Sequence, residues 1–144
     1  MFSTKSVYDL PVVGVINPST VVNTEVFSTV IDMTKWGQVA AFCSLGNLAA
    51  ETVDFKAYTC ASDGTSSVAL KACTQLAAHA TNNDNTQLVM HVRSTNLGAS
   101  RYIRFGLVTG GVTGGPASVL VLGADARHEP GTNLDLASVQ QIKI

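Results

Sequence analysis

From Asn96 to Leu107 the chain reads Asn-Leu-Gly-Ala-Ser-Arg-Tyr-Ile-Arg-Phe-Gly-Leu. Its second half alternates: Ile103, Phe105 and Leu107 share one parity, Tyr102, Arg104 and Val108 the other. A period of two is the signature of a β-strand with one buried face. Gly98 and Ser100 supply a turn in front of it. The outer parity carries tyrosine and arginine, side-chain types that anchor protein contacts. Arg101, Tyr102 and Arg104 are therefore candidate interface residues on the surface of a central sandwich strand.

The rest of the chain repeats that pattern at intervals of roughly eight to twelve residues, the spacing of an all-β sandwich. Val21–Met33 alternates, with Phe27 and Ile31 assigned to the core. Gln38–Leu45 is a strand of small residues, and Thr52–Ala61 alternates again. Ser62-Asp63-Gly64-Thr65 is a hairpin signal, because Asp-Gly accepts the positive φ angles of tight turns. Val68–Cys73 reads as a strand, with a helical turn or loop expected near Gln75–His79. Gln87–Arg93 alternates, and the glycine-rich segment 109–116 connects to Ser118–Gly123. The Val-Leu-Val-Leu run in that last segment suits a strand buried on both faces. The expected fold is an antiparallel β-sandwich of about eight strands, jelly-roll-like, spanning residues 21–125. An extended N-terminal arm, 1–20, precedes it, although Val12–Ile16 has the character of an edge strand. A C-terminal tail, 126–144, follows. Trp36, the one tryptophan, sits at the Thr34–Gly37 turn, either as a lid on the sandwich or as a binding residue.

Composition narrows the class. Charged residues are 13% of the 144 and hydrophobic residues 46%, so Ser, Thr, Asn and Gln must cover much of the surface. Such a surface repels its own kind weakly and suits incorporation into a larger assembly. A net charge of −1 gives no steering toward nucleic acid or an anionic membrane. No apolar run is long enough to span a bilayer. The Leu10–Ile16 run is too short and interrupted for a signal peptide, so the chain is expected in the cytoplasm. Cys43, Cys60 and Cys73 show no Cys-x-x-Cys pairing and read as reduced, buried thiols.

Reactive constellations are missing from the sequence. Gly110, Gly111, Gly114 and Gly115 are followed by Pro116 and a β run, not by the helix a phosphate cradle needs. His79, His91 and His128 lie far apart, and no Cys-His set has zinc spacing. Asp63 and Asp84 bring one carboxylate each to their loops, too few for a calcium site. There is no Gly-x-Ser-x-Gly elbow. No catalytic, metal or cofactor-binding residue is assigned, and the chain is read as a non-enzyme.

Three pieces of sequence carry a resemblance: the start Met1–Pro11, the pair Ala61-Ser62-Asp63-Gly64-Thr65 and Ser100-Arg101-Tyr102-Ile103-Arg104, and the ending Val121–Pro130 with its Arg127-His128-Glu129-Pro130. In order and spacing they resemble the small head structural proteins of tailed bacteriophages, the capsid cement or decoration proteins. There an acidic Gly hairpin precedes a basic Tyr-hydrophobic-Arg strand, and an Arg-His-x-Pro motif closes the sandwich. Here Asp63 stands where an acidic pair is usual, and a further fourteen residues follow Pro130. The resemblance implies a jelly roll that sits on the virion surface as a homodimer or homotrimer, binds the major capsid protein, and is assembled in the cytoplasm of a bacterial host. A clamp selective for the expanded lattice stabilises it by mass action. On this reading Arg127, His128 and Trp36 join Arg101, Tyr102 and Arg104 as interface candidates. Either chain end, Met1–Thr20 or Thr132–Ile144, is expected to touch a neighbouring subunit. The alternatives are a head–tail connector, tail or fibre subunit, or a carbohydrate-binding module using Trp36, Tyr58 or Tyr102 as a stacking platform.

Overall fold

A computed structural model describes residues 11–48, 50–77 and 83–127. They form nine strands: β1 Val12–Val21, β2 Val26–Phe27, β3 Ile31–Asp32, β4 Trp36–Leu45, β5 Val53–Cys60, β6 Val68–Ala72, β7 Gln87–Arg93, β8 Tyr102–Thr109 and β9 Gly115–Ala126. Sheet A runs in the order β1-β9-β4-β7. Sheet B runs β2-β8-β5-β6, with β3 also paired to β8, and every pairing is antiparallel. If β2 and β3 are taken as one interrupted strand, the chain crosses between two four-stranded sheets in the manner of a jelly roll. The expected fold class holds. No helix among the described residues is long and apolar enough to cross a membrane.

Alternation builds the core. Val39, Ala41 and Cys43 from β4, Val119 and Val121 from β9, and Met90 and Val92 from β7 face Phe55 and Ala57 from β5 and Ile103, Phe105 and Leu107 from β8. Phe55 and Phe105 stack at 5.9 Å between centroids near the middle. The small residues of β4 let the two sheets approach.

Three expectations need correction. First, Val12–Val21 is not part of an arm. It is the edge strand of sheet A, paired to β9 from Leu122 to Gly115. Its register shifts between Ile16 and Ser19, where Pro18 has no N–H to give, and an edge strand tolerates that. Residues 1–10 and the segment from 128 to 144 lie outside the described residues, so the rest of the arm and most of the tail do too.

Second, Val21–Met33 is not one strand. The Ser28 hydroxyl accepts a hydrogen bond from Phe105 N–H at 3.0 Å, taking the place of a ladder carbonyl, and β2 ends there. The jog reverses facing: Ile31 is buried, but Phe27 turns outward at 37% exposure. Third, the Val-Leu-Val-Leu run is not covered on both sides. Val119 and Val121 are buried, whereas Leu120 is 41% exposed.

Two loops follow their sequence signals. In the β5–β6 hairpin the Asp63 carboxylate accepts from the Thr65 N–H and hydroxyl at 2.9 and 2.7 Å, and Gly64 takes a φ of +83°. The segment after β6, expected as a helical turn or a loop, is a loop as far as Ala77, extended at Leu76, which bridges to Val53; His79 lies outside the described residues. Cys43, Cys60 and Cys73 are free thiols. Only Cys43 is fully buried, and that burial pushes its thiol up to about 12.

Candidate protein interface

The sandwich presents two outer faces of opposite chemistry. On sheet B the outward residues of β8 and β5 are Tyr102, Arg104 and Gly106, and Cys60, Tyr58, Lys56 and Asp54. The Arg104 guanidinium lies 3.6 Å from the centroid of the Phe27 ring, and its Nε donates to Ser67 Oγ at 3.0 Å. The Tyr58 ring meets Phe27 edge-on at 5.8 Å, and its hydroxyl donates to Glu25 Oε1 at 2.7 Å. Partial burial, with Glu25 beside it, pushes the Tyr58 phenol up to about 12. Gly106 makes room for this: a Cβ there would lie 2.9 Å from the Tyr58 ring and collide with the Glu25 carboxylate. The cluster is locked by its own contacts.

At one end of the same sheet Arg101 is held by Asp32. Nε donates to Oδ1 at 3.0 Å and Nη2 to Oδ2 at 2.6 Å, a bidentate pair. Thr34 N–H and hydroxyl also donate to Oδ1, at 3.0 and 2.7 Å. The Arg101 bonds first, and those of Thr34 after, hold the largely buried Asp32 carboxyl well below the usual carboxylate range. Arg101 also lies 5.0 Å from the Tyr102 ring centroid. Arg127 donates to Ser94 Oγ at 3.2 Å, and with Arg101, Met33, Thr34, Ser94, Ala99 and Ser100 it lines a shallow depression of about 270 Å³.

The structure thus divides the residues proposed from sequence. Arg101 and Arg127 share the end depression. Arg104 belongs to the locked cluster, and Tyr102 lies between the two. Trp36 is a correction: it opens β4 with 0% exposure and cannot serve as a contact or a stacking platform on the folded protein. Gly123 leaves the space it fills, since a Cβ there would come within 2.8 Å of the indole. His128 lies outside the described residues.

Sheet A carries what the sequence reading missed. Register places Val89 (β7), Phe42 (β4), Leu120 (β9) and Val15 (β1) side by side across all four strands of its outer face. A parallel row is His91, Ala40, Leu122 and Val12. Val89 is 47% exposed, and Phe42, Leu122 and Val15 are half-buried. No Asp, Glu, Lys or Arg stands in either row. The signal was no more than one or two apolar residues in the outer parity of each strand, Phe42 in β4, Val89 in β7 and Leu120 and Leu122 in β9, and only the pairing register joins them into a patch.

No protein-family model and no curated protein matches this chain. Similar solved structures include a subunit of the Bacillus endospore appendages, described as a novel family of disulfide-linked pili. It is 10% identical, with 87% of this chain and 99% of that one covered and a TM-score of 0.47. The xylan-binding module CBM15 is 15% identical over 69% of this chain and 72% of its own, TM-score 0.38. The Eiger TNF from S. frugiperda is 9% identical over 86% and 99%, TM-score 0.36. With every TM-score under 0.5 and identity at or below 15%, the likeness is one of general architecture, and nothing about ligands or assembly follows from it.

Proposed function

We propose that this chain is a non-enzymatic virion structural protein that binds the major capsid protein on the outer surface of a bacteriophage shell and stabilises that shell, as a cement or decoration protein. The observation that carries the reading is the uncharged apolar row across the outer face of sheet A, Val89, Phe42, Leu120 and Val15. An apolar sheet face open to water costs solubility unless something covers it. Four strands at about 4.8 Å spacing and two rows of side chains give a patch on the order of 300 Å². That is short of the roughly 800 Å² per partner of a stable free complex. A repeating lattice overcomes the shortfall, because many weak contacts sum through effective concentration. The phage-like sequence motifs at Ala61–Thr65, Ser100–Arg104 and Arg127–Pro130 support the same reading.

The test is a binding isotherm on purified expanded shells. Wild-type protein saturates in proportion to the capsid subunits. Val89→Asp with Leu120→Asp drops occupancy at least about tenfold, as expected for charging the centre of a small apolar contact. Unchanged occupancy of the double variant rejects the reading. Saturation at a single ring of copies per particle points instead to a connector, tail or fibre subunit.

A further inference from the structure

We propose that this chain joins a second copy of itself end to end, the Gly110–Gly114 loop of one copy seating in the Arg101–Arg127 depression of the next. The two ends of the sandwich differ in charge. Where β4 and β8 begin and β7 and β9 end stand Lys35, Arg93, Arg101 and Arg127. Asp32, paired with Arg101 and Thr34, Asp63 inside its hairpin turn and Asp125, bonded to Gln38 at 2.8 Å, stand at the same end, so among the described residues four cations there outnumber three carboxylates. At the opposite end the described loops carry Glu25, Glu51 and Asp84 and no lysine or arginine.

The acidic end also carries the most exposed large apolar side chain of the described residues, Val112 at 93%. Its loop is held on both sides. Gly110 N–H donates to Thr52 O at 2.8 Å, and Thr113 N–H donates to Glu51 Oε1 at 3.0 Å. Gly111 and Gly114 take φ of +87° and +66°, and a Cβ on Gly114 would strike the Val21 carbonyl. A valine is therefore presented on a fixed loop with the Glu51 carboxylate at its base. The depression at the other end has complementary parts: Met33 and Ala99 are apolar, Thr34, Ser94 and Ser100 bring hydroxyls, and Arg127, which donates to the neutral Ser94 hydroxyl, stands beside the Asp32-paired Arg101.

Both halves of the match lie on one chain, so the occupant is another copy. The contact is heterologous and propagates to a closed ring or an open row. Linked copies would present their sheet A faces together, which is how a weak face contact gains avidity. The inference goes beyond the shell-binding reading and does not require it.

Sedimentation velocity of the purified full chain, without shells, tests it. Wild-type protein self-associates with concentration, less so at high salt. Val112→Asp and Arg127→Glu each lower the association constant at least about tenfold while keeping the wild-type circular dichroism melt. Val112→Asp keeps an intact depression and Arg127→Glu an intact loop, so mixing the two yields a discrete one-to-one pair. A wild-type monomer at all concentrations up to about 1 mM overturns the proposal. So does undiminished association of both variants, or a mixture that forms no pair. Shell occupancy is measured separately, so either claim can fail with the other intact.

Discussion

The outer faces of the two sheets differ in chemistry: among the described residues one is laced with polar and aromatic contacts and the other carries a row of apolar side chains. On sheet B the polar and aromatic groups of the outer face have partners within the chain: Arg104 lies on Phe27 and Ser67, Tyr58 meets Phe27 and Glu25, and Lys56 faces Asp54 at 3.8 Å. On sheet A the row through Phe42 and Leu120 is apolar from strand to strand, with Val89 and Leu120 47% and 41% exposed. The difference teaches that arginine and tyrosine on a strand do not by themselves mark a contact surface. Side chains already satisfied within the fold have less to gain from a partner than apolar ones left in water.

The comparison breaks most visibly through Gly106. Gly106→Val drives a branched side chain into the Tyr58 ring and the Glu25 carboxylate, and is expected to cost about 2–3 kcal/mol in urea unfolding. Leu120→Ala on sheet A removes only half-exposed apolar surface and should cost under about 1 kcal/mol in the same assay. Equal costs would erase the distinction between the faces.

The Asp32–Arg101 pair gives the next effect. The folded pKa of Asp32 lies below its unfolded value, so its stabilisation is present above that unfolded value, near pH 4, and is lost as pH falls toward the folded one. Asp32→Asn should lower stability at pH 7 by roughly 1–2 kcal/mol and flatten the decline below about pH 5. Thermal melts across that window check the slope. A smaller effect than that of Asp32 is expected of Tyr58→Phe, which removes the hydrogen bond to Glu25 while leaving the ring contact. It should cost about 1 kcal/mol and leave shell occupancy unchanged. A drop in occupancy would move the contact surface to sheet B.

Much of the sandwich was legible because its strands alternate. Gln87–Arg93 falls on the strand as read, and Ile103, Phe105 and Leu107 are all buried. The Asp63–Gly64 hairpin was legible because a turn is a local matter of φ angles and one carboxylate. What failed was non-local. Phe27 was assigned inward by parity, and nothing nearby in sequence reveals that the Ser28 hydroxyl would take the Phe105 N–H and reset that parity. Trp36 stands next to a turn, where a lid and a binding residue look alike in sequence; its burial leaves no binding role, and the space that receives it is opened by Gly123, far along the chain. The sheet A patch needed four strands in register before it existed at all.

The opening of β1 and the close of β9 run side by side, with the Gly123 N–H donating to the Pro11 carbonyl at 2.9 Å. A circular permutant that bridges those neighbouring strands and is cut at the exposed Ser62–Asp63 bend would keep every core pairing, since such tips tolerate new termini. The same operation at Val112 would sever the knob instead, so two rewired versions of one sequence would separate folding from self-joining without changing a single side chain.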